Sequence, residues 1–246
     1  MLLRDGGRLH ASRIGQHLYD GRVPRCFTLD YREHTQLYDG TPVVLRLLRP
    51  EDKALLREGF ERLSPESRYA RFFAPKSTLS NDELEYLCDI DQETHFAIGA
   101  VRELDDGTSI GLGVARFITT SPGAAEAAVA VADEAHGRGL GRLLFMRLCA
   151  AANERGVTRF RCDVLGSNTS MQHLLDAIGA ERAVTVDHGV ITFELVVPQI
   201  SPTDPVSGPP PLGPMYRVFR AAAENAVDWT DTIRKLWARG RTSTED

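Results

Sequence analysis

The chain has 246 residues, of which 42% are hydrophobic and 26% are charged, and its formal net charge is −5. This length and composition allow one sizeable hydrophobic core with an appended element. The acidic balance argues against nucleic acid as a partner, and no apolar run approaches the ~18–20 residues of a membrane span. Since the N-terminus also lacks the apolar region of a signal peptide, we expect a soluble, cytoplasmic protein.

The cysteines of the chain are few and widely spaced. They are Cys26, Cys88, Cys149 and Cys162, and they form no Cys-x-x-Cys pair. This spacing argues against both a metal site and a disulfide framework. We therefore expect four buried, reduced thiols and no bound metal.

The first 41 residues have no sustained structural period, and we treat residues 1–41 as an N-terminal extension in which only short strands near 25–31 are indicated. The pattern then sharpens into a predicted strand at 43–48 and three helices. Proline is tolerated in the first turn of a helix, as at Pro50, where the first helix opens. Ser64 is the expected N-cap of the second helix, and Ser80 or Asn81 that of the third.

The remaining elements alternate between strands and helices. The pattern predicts strands at 94–102, 109–119 and 125–132, a helix at 140–155, a strand at 158–165, a helix at 168–178, and strands at 181–187 and 190–197. A hairpin-length turn joins the first two of these strands. Such short connections predict an α/β fold with a mixed sheet rather than a doubly wound one.

Two further segments follow this domain, which we place at 42–197. Seven of the 13 prolines lie in residues 198–214, which indicates an extended linker. Residues 215–239 then have the periodicity of an amphipathic helix, and a short tail completes the segment 215–246. This helix could dock on its own domain or on a sister subunit of a homodimer, or it could attach to an anionic membrane surface.

The most informative stretch is a predicted strand, turn and helix start at residues 129–142. The turn holds Gly137, Gly139 and Gly141. Glycines let the backbone approach a ligand closely, and the first amides of a helix point at an anion. The spacing differs from a dinucleotide fingerprint, and no Gly-Lys-Ser/Thr of a nucleoside-triphosphate loop follows. A glycine turn that merely starts a helix is the plain alternative, but it has no need of the arginines beside these glycines.

The spacing His-Gly-Arg-Gly-Leu-Gly from His136 resembles the pyrophosphate loop of the GNAT superfamily of N-acetyltransferases, which bind acetyl-coenzyme A (acetyl-CoA). The resemblance spans about residues 42–197. It implies a GNAT-like fold, with a mixed, mostly antiparallel central sheet flanked by helices and, here, an appended C-terminal helix. It also implies acetyl-CoA as co-substrate, bound by Val129, Val131, His136, Gly137, Arg138, Gly139, Leu140, Gly141, Arg142 and Asn168.

Two parts of this site depend on backbone groups and on a helix start. If the strand of Val129 and Val131 splays from its neighbour, its N–H and C=O groups can pair with the pantetheine amides, and one N–H can face the thioester oxygen. An ordinary core strand is compatible with this role. Asn168 matches the family asparagine that contacts the pantetheine, or it is simply a helix cap. Leu175 stands where many members have a tyrosine acid, so solvent must protonate the thiolate or it leaves unprotonated.

Transfer to an amine needs a base, because a lysine ammonium with a pKa of about 10.4 is almost wholly protonated at neutral pH. Glu126 is our candidate, since it stands among small residues at a strand entrance, where partial desolvation would raise its pKa. An exposed edge glutamate is the plain alternative. Asp133, Glu134 and His136 are rivals, but they lie nearer the phosphate turn, where an acid would repel coenzyme A.

Three segments narrow the resemblance to one branch of the superfamily. Residues 46–52, 63–69 and 71–73 are similar to the acetyltransferase domain of bacterial Pat-type protein lysine acetyltransferases. This implies a protein lysine as acceptor, for example in an acyl-CoA synthetase, with Glu126 as the base. A small-molecule amine acetyltransferase and a non-catalytic acyl-CoA-binding regulatory module remain as alternatives.

Overall fold

The computed structural model describes residues 25–178 and 182–204. The strands in these ranges are β1 (Arg32–Gln36), β2 (Pro42–Leu47), β3 (His95–Glu103), β4 (Ser109–Ser121), β5 (Ala124–Val131), β6 (Arg159–Leu165), β7 (Arg182–Asp187) and β8 (Val190–Val196). The helices are α1 (Lys53–Glu61), α2 (Pro65–Phe72), α3 (Asn81–Cys88), α4 (Leu140–Glu154) and α5 (Thr169–Ile178). Single 3-10 turns precede α1 and α4, at Pro50–Asp52 and Asp133–Ala135.

All of these strands form one sheet, in the order β1-β2-β3-β4-β5-β6-β8-β7. Each neighbouring pair is antiparallel except β5 and β6, which run parallel. The β3–β4 hairpin turns at Gly107, whose φ of +81° is easily reached only by glycine. The mixed, mostly antiparallel sheet flanked by helices that the sequence predicts is therefore confirmed.

The edge strand β1 lies in the segment assigned to the N-terminal extension. Residues 25–31 form no strand, so the expectation of strands there is wrong, and the strand begins at Arg32 instead. This strand lies at the edge of the sheet, and none of its side chains is fully buried. Its sequence therefore lacks the alternation of apolar and polar residues that marks a strand with one buried face. Glu33 holds it in place by accepting two hydrogen bonds of 2.7 Å from Arg147 on α4. The domain boundary at residue 42 remains a prediction.

One face of the sheet packs on α4 and α5 and forms the main core. Aromatic rings run through this core: Phe96 stacks on Phe117 with centroids 5.4 Å apart, and Phe160 links Phe117 to Phe145 of α4 at 5.8 and 6.0 Å. Such pairs add about 0.5–1.5 kcal/mol each to the stabilisation from burial alone. The core therefore fixes α4, and with it the turn that precedes it, against the sheet.

The opposite face is covered by α1, α2 and α3, whose starts follow the predicted caps. Ser64 Oγ accepts from the amide of Ser67 at 3.1 Å, which confirms it as the N-cap of α2. Ser80 and Glu83 form a reciprocal capping box at the start of α3. Each such cap contributes roughly 1 kcal/mol. The caps set where these helices begin, and so where they cross the sheet.

Several expectations fall at the edge of the described ranges. The proline-rich linker at 198–214 is described only to residue 204, and the helix expected at 215–239 lies outside the described residues. Within 25–178 and 182–204, no helix is long and apolar enough to cross a membrane, and no cluster of three or more His, Cys, Asp or Glu could hold a metal ion. All four cysteines are free, but Cys26 is exposed, so the expectation of four buried thiols is wrong for that residue.

Candidate active site

The sheet opens between β5 and β6. The two strands pair only over residues 124–126 of β5, and Glu126 lies opposite Arg161 at the last paired position. Residues 127–131 pair with β4 alone. The expected splay is therefore present, although the nearby irregularity lies between Thr119 and Ser121 of β4 rather than at the splay itself. A strand edge with unpaired N–H and C=O groups is a template for an extended ligand.

The backbone groups of two valines point into this gap. The amide of Ala132, directly after β5, donates to the carbonyl oxygen of Leu112 at 2.8 Å, so the even-numbered positions of β5 direct their backbone groups at β4. These directions alternate along a strand. The N–H and C=O groups of Val129 and Val131 therefore face away from β4.

The glycine turn supplies a row of free amides beside the open edge. Gly137 and Gly139 have φ values of +71° and +87°, in the left-handed region that favours glycine. Within the described residues, no acceptor is found for the amides of residues 137–142. Gly141 lies in the first turn of α4, and a Cβ placed on it would stand 3.7 Å from Val131 Cγ2. Free amides at a helix N-terminus, together with the helix dipole, form an anion site.

Most side chains of the turn are already engaged within the protein, so few of them are available to bind a ligand. His136 Nε2 donates to the carbonyl oxygen of Val131 at 2.9 Å, which occupies one of the gap-facing groups. Arg138 pairs with Asp39 at 3.0 Å, and Leu140 is buried in the core, so only its amide is available. Arg142 differs, because its Nε is buried and has no hydrogen-bond partner within the described residues. A buried donor without a partner is costly, and an anion at the turn would supply the acceptor.

The β1–β2 loop lies against the same turn. The amide of Tyr38 donates to the carbonyl oxygen of Arg138 at 3.1 Å. The Tyr38 ring lies so close to Gly139 that a Cβ on this glycine would stand 2.5 Å from ring carbon Cζ. This contact could not be predicted from the sequence, since residues 1–41 carry no signal that links them to the turn.

Glu126 stands where the gap begins. Its strand partners are Ile118 on β4 and Arg161 on β6, and its side chain lies on the sheet face covered by α1, α2 and α3. The carboxylate is exposed, so the expected partial desolvation is not seen. Its neighbours along β5 on this face, Ala124 and Ala128, are small, and the carboxylate remains open to solvent and to an incoming acceptor.

The rival carboxylates have other surroundings. Asp133 accepts from the amide of Ser64 at 2.6 Å and from Ser67 Oγ, so it holds the N-terminus of α2. Burial alone would raise the pKa of Asp133, but the hydrogen bonds from Ser67 and Ser64 hold it below its usual value. Glu134 is exposed in the 3-10 turn before α4. Asp133 is therefore occupied with a structural task.

Asn168 caps the start of α5, as the simpler of the two sequence-based interpretations predicts. Asn168 Oδ1 accepts from the amide of Met171 at 3.1 Å and so caps the helix. Its side-chain amide remains able to donate to a ligand. Leu175, which stands in the family's tyrosine position, is 1% exposed and belongs to the core.

A cavity of about 100 Å³ lies between α1, α2, α3 and the sheet, near the end of β5. Two of its arginines were not identified as site residues from the sequence, Arg71 of α2 and Arg116 of β4. Arg116 is 5% exposed, and burial lowers its pKa to about 10, with the charge of Arg71 adding to the effect. A signal was present, because Arg116 shares a face of β4 with Val114 and Ile118, which are both apolar.

Taken together, these features suit an extended ligand that ends in a diphosphate. From Glu126 to Val131, β5 spans about 17 Å at about 3.3 Å per residue. The turn at one end offers amides to an anion, the strand edge offers backbone pairing, and Glu126 stands at the other end. The arrangement can hold a long, thin reactant and present its far end to a carboxylate.

Known proteins are similar to this chain in sequence. Residues 58–180 match the family model described as the Acetyltransferase (GNAT) family. The curated Acetyltransferase Pat of Mycolicibacterium smegmatis is 34% identical over 167 residues, which cover 67% of this chain and 49% of that protein. A curated acetyltransferase of Pseudomonas aeruginosa is 33% identical over 144 residues, covering 58% of this chain and 77% of that protein. This chain therefore spans about half the length of the mycobacterial relative.

A solved structure agrees in both sequence and fold. The GNAT domain of S. lividans PAT superposes with a TM-score of 0.61 at 27% identity. The match covers 67% of this chain and 96% of that domain.

Proposed function

Because the chain belongs to the GNAT acetyltransferase family, we propose that it transfers an acetyl group from acetyl-CoA to the side-chain amine of a protein lysine. The similarity to Pat supports the choice of a protein acceptor, and acyl-CoA synthetases are the first candidates. The observation that carries the proposal is the open edge of β5, which leads from the free amides of residues 137–142 to Glu126.

The chain has groups suited to each part of acetyl-CoA. The amides of residues 137–142 and the unpaired Nε of Arg142 would bind the diphosphate. The carbonyl oxygen of Val129 and the amide of Val131 would pair with the pantetheine arm. The side-chain amide of Asn168 can donate to the same arm, since its Oδ1 caps α5.

An amide facing the gap would stabilise the charge that develops on the thioester oxygen. A fixed backbone donor of this kind is typically worth 10²–10³ in turnover. Val129 N–H is the candidate, because its direction is set by the pairing of β5 with β4. The alternation of the strand thus orients this donor without any side chain.

Glu126 would accept the proton that the acceptor ammonium loses. The amine nitrogen then attacks the thioester carbonyl carbon, so that a C–N bond forms, the C–S bond breaks and the electron pair leaves on the thiolate sulfur. The nitrogen gives up its second proton to solvent as the amide forms. Leu175 is buried and has no acidic proton to give, so the departing thiolate takes a proton from solvent or leaves unprotonated. The exposure of Glu126 favours a protein acceptor over an enclosed small amine, since a lysine on a large surface can reach it.

The test is incubation with labelled acetyl-CoA and candidate acyl-CoA synthetases, followed by mapping of acetyl-lysines by mass spectrometry, with a panel of small amines in parallel. We expect labelled protein lysines. Label only on the small amines would support the small-molecule alternative. If calorimetry detects acetyl-CoA binding but no acetyl group is transferred, the assignment as an enzyme is overturned. The chain is then an acyl-CoA-binding module.

A further inference from the structure

Two guanidinium groups share the cavity without a carboxylate partner. Nη1 of Arg116 donates to the carbonyl oxygen of Leu87 at 3.3 Å and contacts Nε2 of His95 at 3.1 Å. Its Nε and Nη2 make no hydrogen bond within the described residues. Arg71 contacts the ring of Phe72, with 5.2 Å from Cζ to the ring centroid, and no carboxylate of the described ranges pairs with it.

A third arginine of the cavity provides a contrast. Arg46 forms a two-pronged ion pair with Asp52, at 2.6 and 2.7 Å, and Asp52 also accepts from the amide of Arg49. The charge of Arg46 is thereby neutralised inside the fold. The charges of Arg71 and Arg116 are not, and burial lowers the pKa of both. Removing a charge from water without a partner is unfavourable, so the site favours an anion from outside.

The rest of the cavity wall is largely apolar, with Leu55, Leu56, Phe60, Leu63 and Leu79 among its side chains. In such surroundings the attraction between opposite charges is stronger than in water. The volume is also sufficient, because 10–15 Å³ already admits a water molecule and this cavity has about 100 Å³. A carboxylate with a few further atoms would fit.

We propose that Arg71 and Arg116 bind the carboxylate of one reactant, so that the enzyme prefers an acidic partner in the transfer. This inference rests on the proposed function, because it assigns a specificity to the same site. The carboxylate could end a dicarboxylic acyl group carried by coenzyme A, or it could belong to an acidic group next to the acceptor amine.

The position of the pair fits both sources. Arg116 lies opposite Ala128 in the β4–β5 register, two residues along from Glu126 on the same face. Diagonal neighbours of this kind are about 7–8 Å apart between Cα atoms. The cavity is also lined by Ala130 and Val131, beside the edge where the acyl chain would lie. A carboxylate a few bonds from the reacting carbon or nitrogen can therefore reach the pair.

The first measurement needs no turnover and uses succinate as the probe. Calorimetry should detect succinate binding to the wild-type protein, and binding at least 10-fold weaker to Arg71→Gln and to Arg116→Gln. Arg57→Gln is the matched control, since Arg57 is exposed on α1 outside the cavity. Arg71 is less deeply buried than Arg116, so Arg71→Gln keeps the test valid if Arg116→Gln fails to fold.

The second measurement separates the two sources. Wild-type kcat/KM is compared between succinyl-CoA and acetyl-CoA, and between lysine peptides flanked by Glu or by Gln with acetyl-CoA as donor. A preference of at least 10-fold in the first comparison assigns the carboxylate to the acyl group, and in the second to the acceptor. Either preference should disappear in Arg71→Gln while the reaction of the neutral partner changes by less than threefold.

The outcomes distinguish this inference from the proposed function. Succinate binding that requires both arginines, without transfer to any acceptor, keeps the anion site and overturns acyl transfer. Transfer of acetyl groups with no preference in either comparison and no succinate binding overturns the anion site alone. Equal losses on neutral and acidic partners in Arg71→Gln would also overturn it, since that pattern indicates a structural role.

Discussion

The ring of Tyr38 lies against the Cα of Gly139, so that a Cβ on the glycine would stand 2.5, 2.6 and 2.9 Å from three ring carbons. The same glycine has a φ of +87° and forms the N-cap of α4. Two independent constraints therefore require glycine at this position. One is the backbone conformation, and the other is the approach of an aromatic ring from the β1–β2 loop.

Gly139→Ala should destabilise the turn and weaken acetyl-CoA binding. The positive φ costs of order 1–3 kcal/mol for a residue with a Cβ, and the clash displaces Tyr38 in addition. Calorimetry with acetyl-CoA and thermal unfolding measure the two effects. Gly137→Ala is the matched control, because Gly137 has a φ of +71° but no atom within 4 Å of the added Cβ. If the two variants lose equal amounts of stability and of acetyl-CoA affinity, the contact with the Tyr38 ring contributes to neither.

Glu126→Gln should lower the rate of transfer by about 10²–10⁴, because a general base typically contributes that factor. Acetyl-CoA affinity should be unchanged, since the backbone of β5 and the turn are untouched. Single-turnover kinetics and calorimetry separate the two quantities. Glu134→Gln is the control, as an exposed glutamate of the turn region. If Glu134→Gln loses activity and Glu126→Gln keeps it, the base has been assigned to the wrong residue.

Removing one partner of the Glu33–Arg147 ion pair should destabilise the N-terminal strand. Arg147 is 4% exposed and donates two hydrogen bonds of 2.7 Å to the carboxylate, which also accepts from the Tyr31 hydroxyl. Glu33→Gln leaves the buried guanidinium of Arg147 without its counter-ion. Because the Glu33 side chain is partly exposed, we expect a loss of about 1–3 kcal/mol in the free energy of unfolding.

Denaturant unfolding measures this loss. The double variant Glu33→Gln with Arg147→Met should recover part of it, because the uncompensated charge is then gone. If the single and double variants are equally destabilised, the contact acts through packing alone.

His95 should make the free energy of unfolding decrease as the pH is lowered through a defined range. Burial, followed by the charge of Arg116, lowers the pKa of His95 from 6.5 to about 4. The folded protein therefore keeps the imidazole neutral where the unfolded chain takes up a proton. The free energy of unfolding should decrease as the pH falls from about 6.5 to about 4. Chemical denaturation of wild type and His95→Gln across this range should show a shallower decrease in the variant, and identical slopes would contradict the assignment.

Much of the fold could be predicted because its signals are local. Ser64 and Ser80 identify helix starts within four residues of sequence, and the glycine turn is recognised from its spacing alone. Strand β1 could not be predicted, because its position depends on the contact between Glu33 and Arg147, 114 residues apart. No window of the sequence contains both partners.

The candidate site divides in the same way. The GNAT resemblance is confirmed by the family match, while the roles of Glu126 and of the cofactor residues remain predictions. Arg116 could not be predicted as a site residue, because a charged residue in a strand usually indicates a solvent-facing position, and its apolar neighbours Val114 and Ile118 are only a weak sign of burial. Arg116 is buried here because α2 and α3, which are distant from β4 in sequence, cover that face.

Only three paired positions between β5 and β6 join the two parts of the sheet, β1–β5 and β6–β8. A reactant lying along residues 127–131 becomes the missing strand between them. We expect its binding to stiffen the connection between the halves, so that amide exchange along β6 and β8 slows while the gap is filled.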